Sequence, residues 1–154
     1  DSGFAPCTPE AVIKMLEHYG VSLCGKKVTV VGRSMVVGRP LSMLLLKRHA
    51  TITICHTRTK DLEKVCREAD ILIAAAGKPR MITGDMAKEN AVVVDVGINV
   101  DEEGRMCGDV DFESLAEKAA FITPVPGGVG GVTTSILAAH VLRGAKYLNG
   151  ISKE

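Results

Sequence analysis

Short runs of β-branched and other apolar residues recur along the chain, and most of them end at a glycine. Val28–Val31 is followed by Gly32, and Val92–Val96 is followed by Gly97. Runs of this length and composition are typical of strands that are buried on both faces of a parallel sheet. Segments with helical spacing alternate with them. The sequence therefore predicts an α/β fold with a doubly wound, mainly parallel sheet and helices on both faces.

Capping signals and spacing mark the other elements. We expect Thr8 to cap a first helix, Pro9 to occupy its first position, and Gly20 to end it. Asp111 is expected to cap a short helix that runs to about residue 118. The other predicted helices are Gly38–His49, Asp61–Glu68 and Val132–Leu148, the other strands are Thr51–Cys55, Ile71–Ala75 and Phe121–Ile122, and turns are predicted at 84–87 and 102–105.

Length and charge bound the class of protein. The chain has 154 residues and a formal net charge of +1, which fits one domain over residues 1–154. The near-neutral charge, without a long Lys/Arg run, disfavours a nucleic-acid partner. The apolar stretches fall short of the roughly 18 residues that span a bilayer, so no membrane partner is predicted. The first residues do not resemble a secretory signal, and the expected compartment is the cytoplasm.

Cysteine and histidine usage gives no sign of a disulfide framework or a metal site. The five cysteines are odd in number and form no C-x-x-C pair, so we expect reduced thiols that behave as small apolar residues. The four histidines are scattered along the chain without metal-ligand spacing. No metal is predicted.

The segment from Gly32 to Gly38 places a tight turn between a predicted strand and a predicted helix. The free amide groups and positive dipole end of that helix suit a pyrophosphate group. Ser34 stands where the G-x-G-x-x-G pattern has its second glycine, so the order of elements carries the prediction more than the glycines do. We predict a Rossmann-like dinucleotide-binding turn that includes Arg33 and Val37. A purely structural turn is the alternative.

The residues after the second predicted strand favour NADP over NAD. A nucleotide site meets the adenosine ribose here, and an Asp or Glu would bond its 2′-hydroxyl. The sequence has instead His56, Thr57 and Arg58. Together with Arg33, Arg58 and the Thr57 hydroxyl could bind a 2′-phosphate through charge-assisted hydrogen bonds. The alternative is a solvated loop with no ligand.

Three further segments are candidates for ligand contact. Ala76–Gly77 and Gly97–Ile98 end strands with small residues that leave room for a flat ring, although ordinary strand-to-loop turns would have the same sequence. The glycine-rich loop 127–131 could contact a substrate or form a flexible hinge. Asp109 and Asp111 are near enough in sequence to suggest paired carboxylates, but helix capping by Asp111 explains them more simply.

Longer motifs then occur in a fixed order. The combination resembles the bifunctional 5,10-methylenetetrahydrofolate dehydrogenase/5,10-methenyltetrahydrofolate cyclohydrolase family over nearly the whole chain, as its NADP-binding domain and the helix that follows. The motifs are Pro6–Pro9, Val30–Pro40, Cys55–Thr59, Ala69–Leu72, Val94–Asn99, Gly108–Val110 and Ile122–Gly130.

The resemblance implies hydride transfer from methylenetetrahydrofolate to NADP, followed by hydrolysis to 10-formyltetrahydrofolate, in a homodimeric enzyme. A folate would lie against the loop after the last strand, at Pro126, Gly127, Gly128, Val129 and Gly130. The candidate cofactor-binding residues are Gly32, Arg33, Ser34, Val37, Gly38, His56, Thr57, Arg58, Ala76, Gly77, Gly97, Ile98 and Thr133.

The sequence departs from the family pattern in two places. The Tyr-x-x-x-Lys pair of the family, whose lysine assists both chemical steps, belongs to an amino-terminal domain, and Tyr19 and Tyr147 have no lysine at that spacing. No catalytic residue is therefore assigned, and we expect a domain whose terminal helix, 132–149, packs on that catalytic domain and otherwise exposes an apolar face. Gly131-Val132 replaces the usual Pro-Met, which changes the expected helix start.

Two other functions are compatible with the sequence. A non-catalytic nucleotide-binding module would keep this fold without the catalytic domain. A different dehydrogenase with the same fold, similar to shikimate dehydrogenase, is disfavoured by the segment Pro124–Gly130.

Overall fold

A five-stranded parallel sheet forms the centre of the computed structural model, which describes residues 3–150. The strand order is β2-β1-β3-β4-β7, and a separate antiparallel hairpin pairs β5 with β6. The elements in chain order are α1 (Cys7–His18), β1 (Lys27–Val31), α2 (Gly38–Leu46), β2 (Thr51–Cys55), α3 (Leu62–Arg67), β3 (Ile71–Ala74), a 3-10 turn (Gly84–Met86), β4 (Val92–Asp95), β5 (Asn99–Val100), β6 (Met106–Cys107), α4 (Phe112–Ala116), β7 (Phe121–Ile122) and α5 (Val129–Leu148).

The strand order confirms the predicted doubly wound fold. From β1 the chain moves outward to β2, then returns to the other side of β1 to add β3, β4 and β7. Val31 of β1 is in register with Cys55 of β2 and with Ala74 of β3. The direction of winding thus reverses between β1 and β3, which is where open parallel sheets bind ligands.

Both faces of the sheet are covered, as the unbroken apolar runs of the inner strands predict. Ile71 and Ile73 of β3 pack with Ile13 of α1 and with Leu41 and Leu45 of α2 on one face. On the other face, Leu72 and Ala74 pack in a second cluster, with Cys66 of α3 and Leu115 of α4. Because alternate residues of one strand enter different clusters, β3 holds the two halves of the core together.

Two predicted N-caps and one predicted helix start are wrong. Helix α1 begins at Cys7, so Thr8 and Pro9 lie inside its first turn, where N–H groups have no helical acceptor and proline costs little. Asp111 precedes α4, yet its side chain makes no capping hydrogen bond. Asp61 adopts a left-handed conformation with φ of 50°, which starts α3 one residue later than predicted.

Helix α5 begins at Val129, three residues before the predicted start. Val129 is 3% exposed and anchors the first turn in the core. Three consecutive hydroxyls then donate to carbonyls one turn earlier in the helix, so these polar groups are satisfied within a turn that contains two glycines. These hydrogen bonds are Thr133 to Val129 at 3.0 Å, Thr134 to Gly130 at 3.3 Å and Ser135 to Gly131 at 3.2 Å.

The outward face of α5 is apolar and exposed, as expected. One side of the helix packs on α1, whereas Leu137, Val141 and Leu142 are each more than half exposed. What covers this face stays a prediction. Within residues 3–150, none of the helices has the length and hydrophobicity needed to cross a bilayer.

Replacing Ile73 with alanine tests the two-sided core. Ile73 is fully buried in the central strand, so Ile73→Ala is expected to lower the free energy of unfolding by about 2–5 kcal/mol. The matched control is Ile54→Ala in edge strand β2, where Ile54 is 41% exposed, with an expected loss below about 1 kcal/mol. Urea unfolding measures both. Equal losses would contradict the burial described.

Candidate functional site

The predicted ligand-binding segments converge at one edge of the sheet. The five strands are parallel, so the loops that follow them all leave the sheet at its carboxyl edge. These loops contain almost every predicted cofactor-binding and substrate-binding residue. The loop segments with predicted site residues are Gly32–Gly38 after β1, His56–Arg58 after β2, Ala76–Gly77 after β3, Gly97–Ile98 after β4 and Pro126–Gly128 after β7.

Gly32 brings the loop after β1 against the loop after β3. Its φ is 136°, and a Cβ atom at this position would collide with the carbonyl oxygen of Ala75. Its N–H donates to the carbonyl of Cys55 at 2.9 Å, which ties it to the end of β2 as well. Only glycine fits at this point, where three strand ends meet beside the change in winding direction.

Ser34 shapes the start of α2 in a way that the sequence prediction did not anticipate. Its Oγ accepts hydrogen bonds from the N–H groups of Val37 at 3.0 Å and Gly38 at 3.5 Å. The first-turn amides of α2 are therefore occupied, and the prediction that they are free for a pyrophosphate is wrong. The N–H groups of Met35 and Val36 have no acceptor among residues 3–150 and remain available to an anion.

Two exposed arginines follow neighbouring strands. Arg33 comes two residues after Val31, and Arg58 comes three residues after Cys55, the register partner of Val31. Among the residues that the structure describes, neither guanidinium group has an ion-pair or hydrogen-bond partner. Two unpaired cations at one edge of a sheet form a suitable site for a doubly charged phosphate.

His56 organises the turn that carries Arg58. The backbone N–H of Arg58 donates to His56 Nδ1 at 3.1 Å, and the His56 N–H donates to the Thr59 hydroxyl at 2.9 Å. Because Nδ1 accepts, the proton of the neutral ring is on Nε2. The Thr57 side chain between them is exposed. The turn thus presents the Thr57 hydroxyl and the Arg58 guanidinium to solvent, with no carboxylate from residue 55 to residue 60.

The buried carboxylate of Asp109 holds the loop after β3. Asp109 is completely buried and accepts hydrogen bonds from three consecutive backbone N–H groups. Those of Ala76, Gly77 and Lys78 donate at 2.5, 2.9 and 2.9 Å, and the Asn99 side-chain amide donates at 2.8 Å. This carboxylate therefore determines the conformation of the predicted ring-binding segment Ala76–Gly77.

Asp95, the last residue of β4, has the same role for the next loop. It accepts from the N–H groups of Gly97 at 2.8 Å, Asp109 at 3.0 Å and Val110 at 2.9 Å. Burial raises the pKa of Asp95, while these three N–H donors oppose the rise and the charge of Asp109 adds to it. A Cβ atom at Gly97 would collide with the Asp109 carboxylate, so the glycine lets the loop lie against it.

The loop after β7 leads to a separate cleft. Gly127 and Gly128, two of the predicted folate contacts, line an open cleft of about 710 Å³ with His18 and Tyr19 at the end of α1. Pro126, at the cis bond to Val125, is exposed, and Gly130 lies in the first turn of α5. The buried side chain of Val129 belongs to the core and does not line the cleft.

Thr133 is the one predicted cofactor-binding residue that lies apart from the strand-end loops. It stands one turn into α5, where its hydroxyl donates to the carbonyl of Val129 and lies 3.5 Å from the Thr8 hydroxyl of α1. The structure places it at the contact between the two helices.

Comparison with known proteins agrees with this arrangement. The model of the family described as tetrahydrofolate dehydrogenase/cyclohydrolase, NAD(P)-binding domain, matches residues 6–149. The chain belongs to this family. The match covers all five strands of the sheet and every predicted site residue.

Individual relatives of this NAD(P)-binding domain extend the comparison. The chain is 62% identical over 148 residues to the bifunctional protein FolD of Clostridioides difficile (strain 630), with 96% of the chain and 52% of that protein covered. A crystal structure of the bifunctional enzyme FolD from Campylobacter jejuni has a TM-score of 0.93 at 48% identity, covering 96% of the chain and 52% of that protein. The Trypanosoma brucei FolD, solved with NADP cofactor and an inhibitor, has a TM-score of 0.84 at 42% identity, covering 90% and 50%. The chain thus spans about half the length of these relatives.

Replacing Asp109 with asparagine tests its role in holding the loop after β3. An amide nitrogen would face backbone N–H donors, so Asp109→Asn is expected to lower the free energy of unfolding by about 1–3 kcal/mol. The control is Asp111→Asn, because the Asp111 side chain makes no capping hydrogen bond and its loss should cost below about 0.5 kcal/mol. Chemical denaturation measures both. An Asp109→Asn variant as stable as Asp111→Asn would contradict the assigned role.

The opposite pKa shifts of Asp95 and Asp70 predict opposite pH dependences of stability. The pKa of Asp95 is raised in the folded state, so its contribution to stability is largest below its unfolded pKa of about 3.9 and falls as pH rises through the folded pKa. The pKa of Asp70 is lowered, chiefly by its hydrogen bond to Lys88, so its contribution is present above about pH 3.9 and is lost as pH falls through the folded pKa.

Unfolding curves between about pH 3 and pH 7 compare wild type with Asp95→Asn and with Asp70→Asn. The wild-type advantage over Asp95→Asn should shrink with rising pH, and the advantage over Asp70→Asn should grow. The same slope for both variants would contradict the assignment.

Proposed function

We propose that this chain is the NADP-binding part of an enzyme that oxidises 5,10-methylenetetrahydrofolate to the methenyl form and hydrolyses that product to 10-formyltetrahydrofolate. Family membership and the FolD relatives support the reaction. The observation that carries the choice of NADP is the pair of guanidinium groups of Arg33 and Arg58, which have no partner among residues 3–150, beside a turn without a carboxylate. An acidic residue there would have favoured the ribose hydroxyl of NAD.

The described residues fit a dinucleotide laid across the carboxyl edge of the sheet. Arg33, Arg58 and the Thr57 hydroxyl would hold the 2′-phosphate, and the N–H groups of Met35 and Val36 would face the pyrophosphate. The nicotinamide ring would lie between the loops after β3 and β4, which Asp109 and Asp95 hold in place. NADP, when bound there, supplies the acceptor for a hydride from the folate methylene carbon.

The folate would enter from the cleft at Gly127 and Gly128. Glycine exposes backbone to a flat ring without an intervening side chain, and this loop follows β7, the neighbour of β4 in the sheet. The contribution of this chain is then positional, because it holds two rings face to face while water is excluded. The lysine that assists the chemistry in this family would come from the catalytic domain, packed on the exposed face of α5. We further propose a cytoplasmic homodimer.

Calorimetric titration with NADP and with NAD tests the cofactor assignment. NADP is expected to bind more tightly than NAD. Arg33→Ala and Arg58→Ala should each weaken NADP binding by about tenfold or more and leave NAD binding nearly unchanged, because NAD has no 2′-phosphate.

Arg67→Ala is the matched control. Arg67 is an equally exposed arginine at the end of α3 whose guanidinium already binds Glu63 and the Asp85 carbonyl, so its loss should not change NADP affinity. Equal affinity for NADP and NAD, or equal losses for both nucleotides in the two variants, would contradict the proposal.

A further inference from the structure

A cysteine, a histidine and a glutamate form a hydrogen-bonded chain at the contact between α1 and α5. Cys7 Sγ lies 3.6 Å from His140 Nδ1, and His140 Nε2 lies 2.9 Å from Glu10 Oε2. Cys7 and Glu10 occupy the first turn of α1, and His140 is in the middle of α5. None of the three belongs to the loops at the carboxyl edge of the sheet, so the nucleotide site does not explain them.

The order of the atoms is that of an activated nucleophile. With Glu10 ionised, His140 Nε2–H donates a hydrogen bond to its carboxylate, which leaves Nδ1 with a lone pair directed at the thiol. A nucleophile bonded to a base, with the base oriented by a third group, is the general arrangement of nucleophilic catalysis. Cys7 is also the first residue of α1, so a negative charge that develops on its sulfur meets the positive end of the helix dipole.

The surroundings hold the imidazole in this orientation. The Phe4 ring packs on His140 with 4.8 Å between ring centroids, and the Arg143 guanidinium lies 4.4 Å from the centre of the Phe4 ring. The His140 side chain is only 10% exposed, whereas Cys7 is half-buried and keeps access to solvent. The base is therefore fixed while the sulfur is reachable.

The other cysteines of the chain lack this arrangement. Cys55 and Cys66 are buried, and burial raises the pKa of both thiols, that of Cys66 to about 12. Cys107 is buried as well. Cys24 is exposed, and no histidine bonds to it among the described residues. Cys7 alone, within residues 3–150, combines solvent access with a hydrogen-bonded base.

We propose that Cys7, activated by His140 and Glu10, is a site of modification by low-molecular-weight disulfides. The thiol proton passes to His140 Nδ1 as the Cys7 sulfur attacks one sulfur of the disulfide RSSR. The S–S bond of RSSR breaks, a mixed disulfide forms on Cys7, and the leaving thiolate takes the proton from His140. One disulfide is exchanged for another, and no further oxidant is consumed. The added group lies against the α1–α5 contact.

Timed reaction of the folded chain with oxidised glutathione at pH 7, followed by peptide mass spectrometry, tests the proposal. The thiolate is the attacking species and an ordinary thiol is only a few per cent ionised at pH 7, so activation is worth at most about thirtyfold. Partial burial of Cys7 reduces this gain, and we expect Cys7 to be modified about tenfold faster than the exposed Cys24. A Cys7 rate at or below that of Cys24 would overturn the proposal.

Two variants separate activation from simple exposure. His140→Asn should lower the Cys7 rate about tenfold, and Glu10→Gln, which keeps an acceptor for the ring N–H, should lower it less. Neither should change the Cys24 rate. Modification of the buried Cys66 would show that a variant has unfolded. If His140→Asn unfolds, the Cys7 rate of Glu10→Gln alone tests the activation. An unchanged ratio of Cys7 to Cys24 rates in a folded variant would overturn the proposal.

Discussion

Two buried carboxylates determine the geometry of the carboxyl edge of this sheet. Asp95 and Asp109 each accept three backbone N–H groups, which come from the loops after β3 and β4 and from Asp109 and Val110. Backbone donors in such loops would otherwise be unsatisfied or open to water, and removing one charged acceptor would leave several donors unpaired. The conformation of the loops, and with it the space for a flat ring, depends on these bonds.

The edge combines rigid and adaptable parts. The loops after β3 and β4 are held by the carboxylates, whereas Arg33 and Arg58 follow the ends of β1 and β2 and have no side-chain partner among residues 3–150. A region held in this way can position a ring, and two cations can meet a phosphate, which is the division of roles that binding of a phosphorylated dinucleotide requires. Ser34 adds to the rigidity because its hydroxyl accepts a hydrogen bond from the N–H of Val37, directly before α2.

The sequence predicted the parallel sheet and the edge that carries the site, because strand composition and terminal glycines are local signals. It did not predict which polar groups would pair. The sequence assigns no role to Asp109, because helix capping by Asp111 explains the spacing of the two residues. In the structure Asp109 accepts three N–H groups that lie more than 30 residues earlier in the chain. Asp109 comes directly after Gly108, and Gly97 comes two residues after Asp95. Only the hairpin of β5 and β6 brings these two segments together. The predicted start of α5 is three residues too late because glycines normally disfavour helix, whereas the buried Val129 anchors the first turn in the core.

A crystal structure of the chain with NADP would test the central claim, that the carboxyl edge is a preformed site for a phosphorylated dinucleotide. The account predicts the 2′-phosphate within hydrogen-bonding distance of both Arg33 and Arg58, the nicotinamide between the loops after β3 and β4, and no change in the hydrogen bonds of Asp95 and Asp109. A 2′-phosphate directed into solvent away from both arginines, or a nucleotide bound instead in the cleft at Gly127 and Gly128, would contradict it.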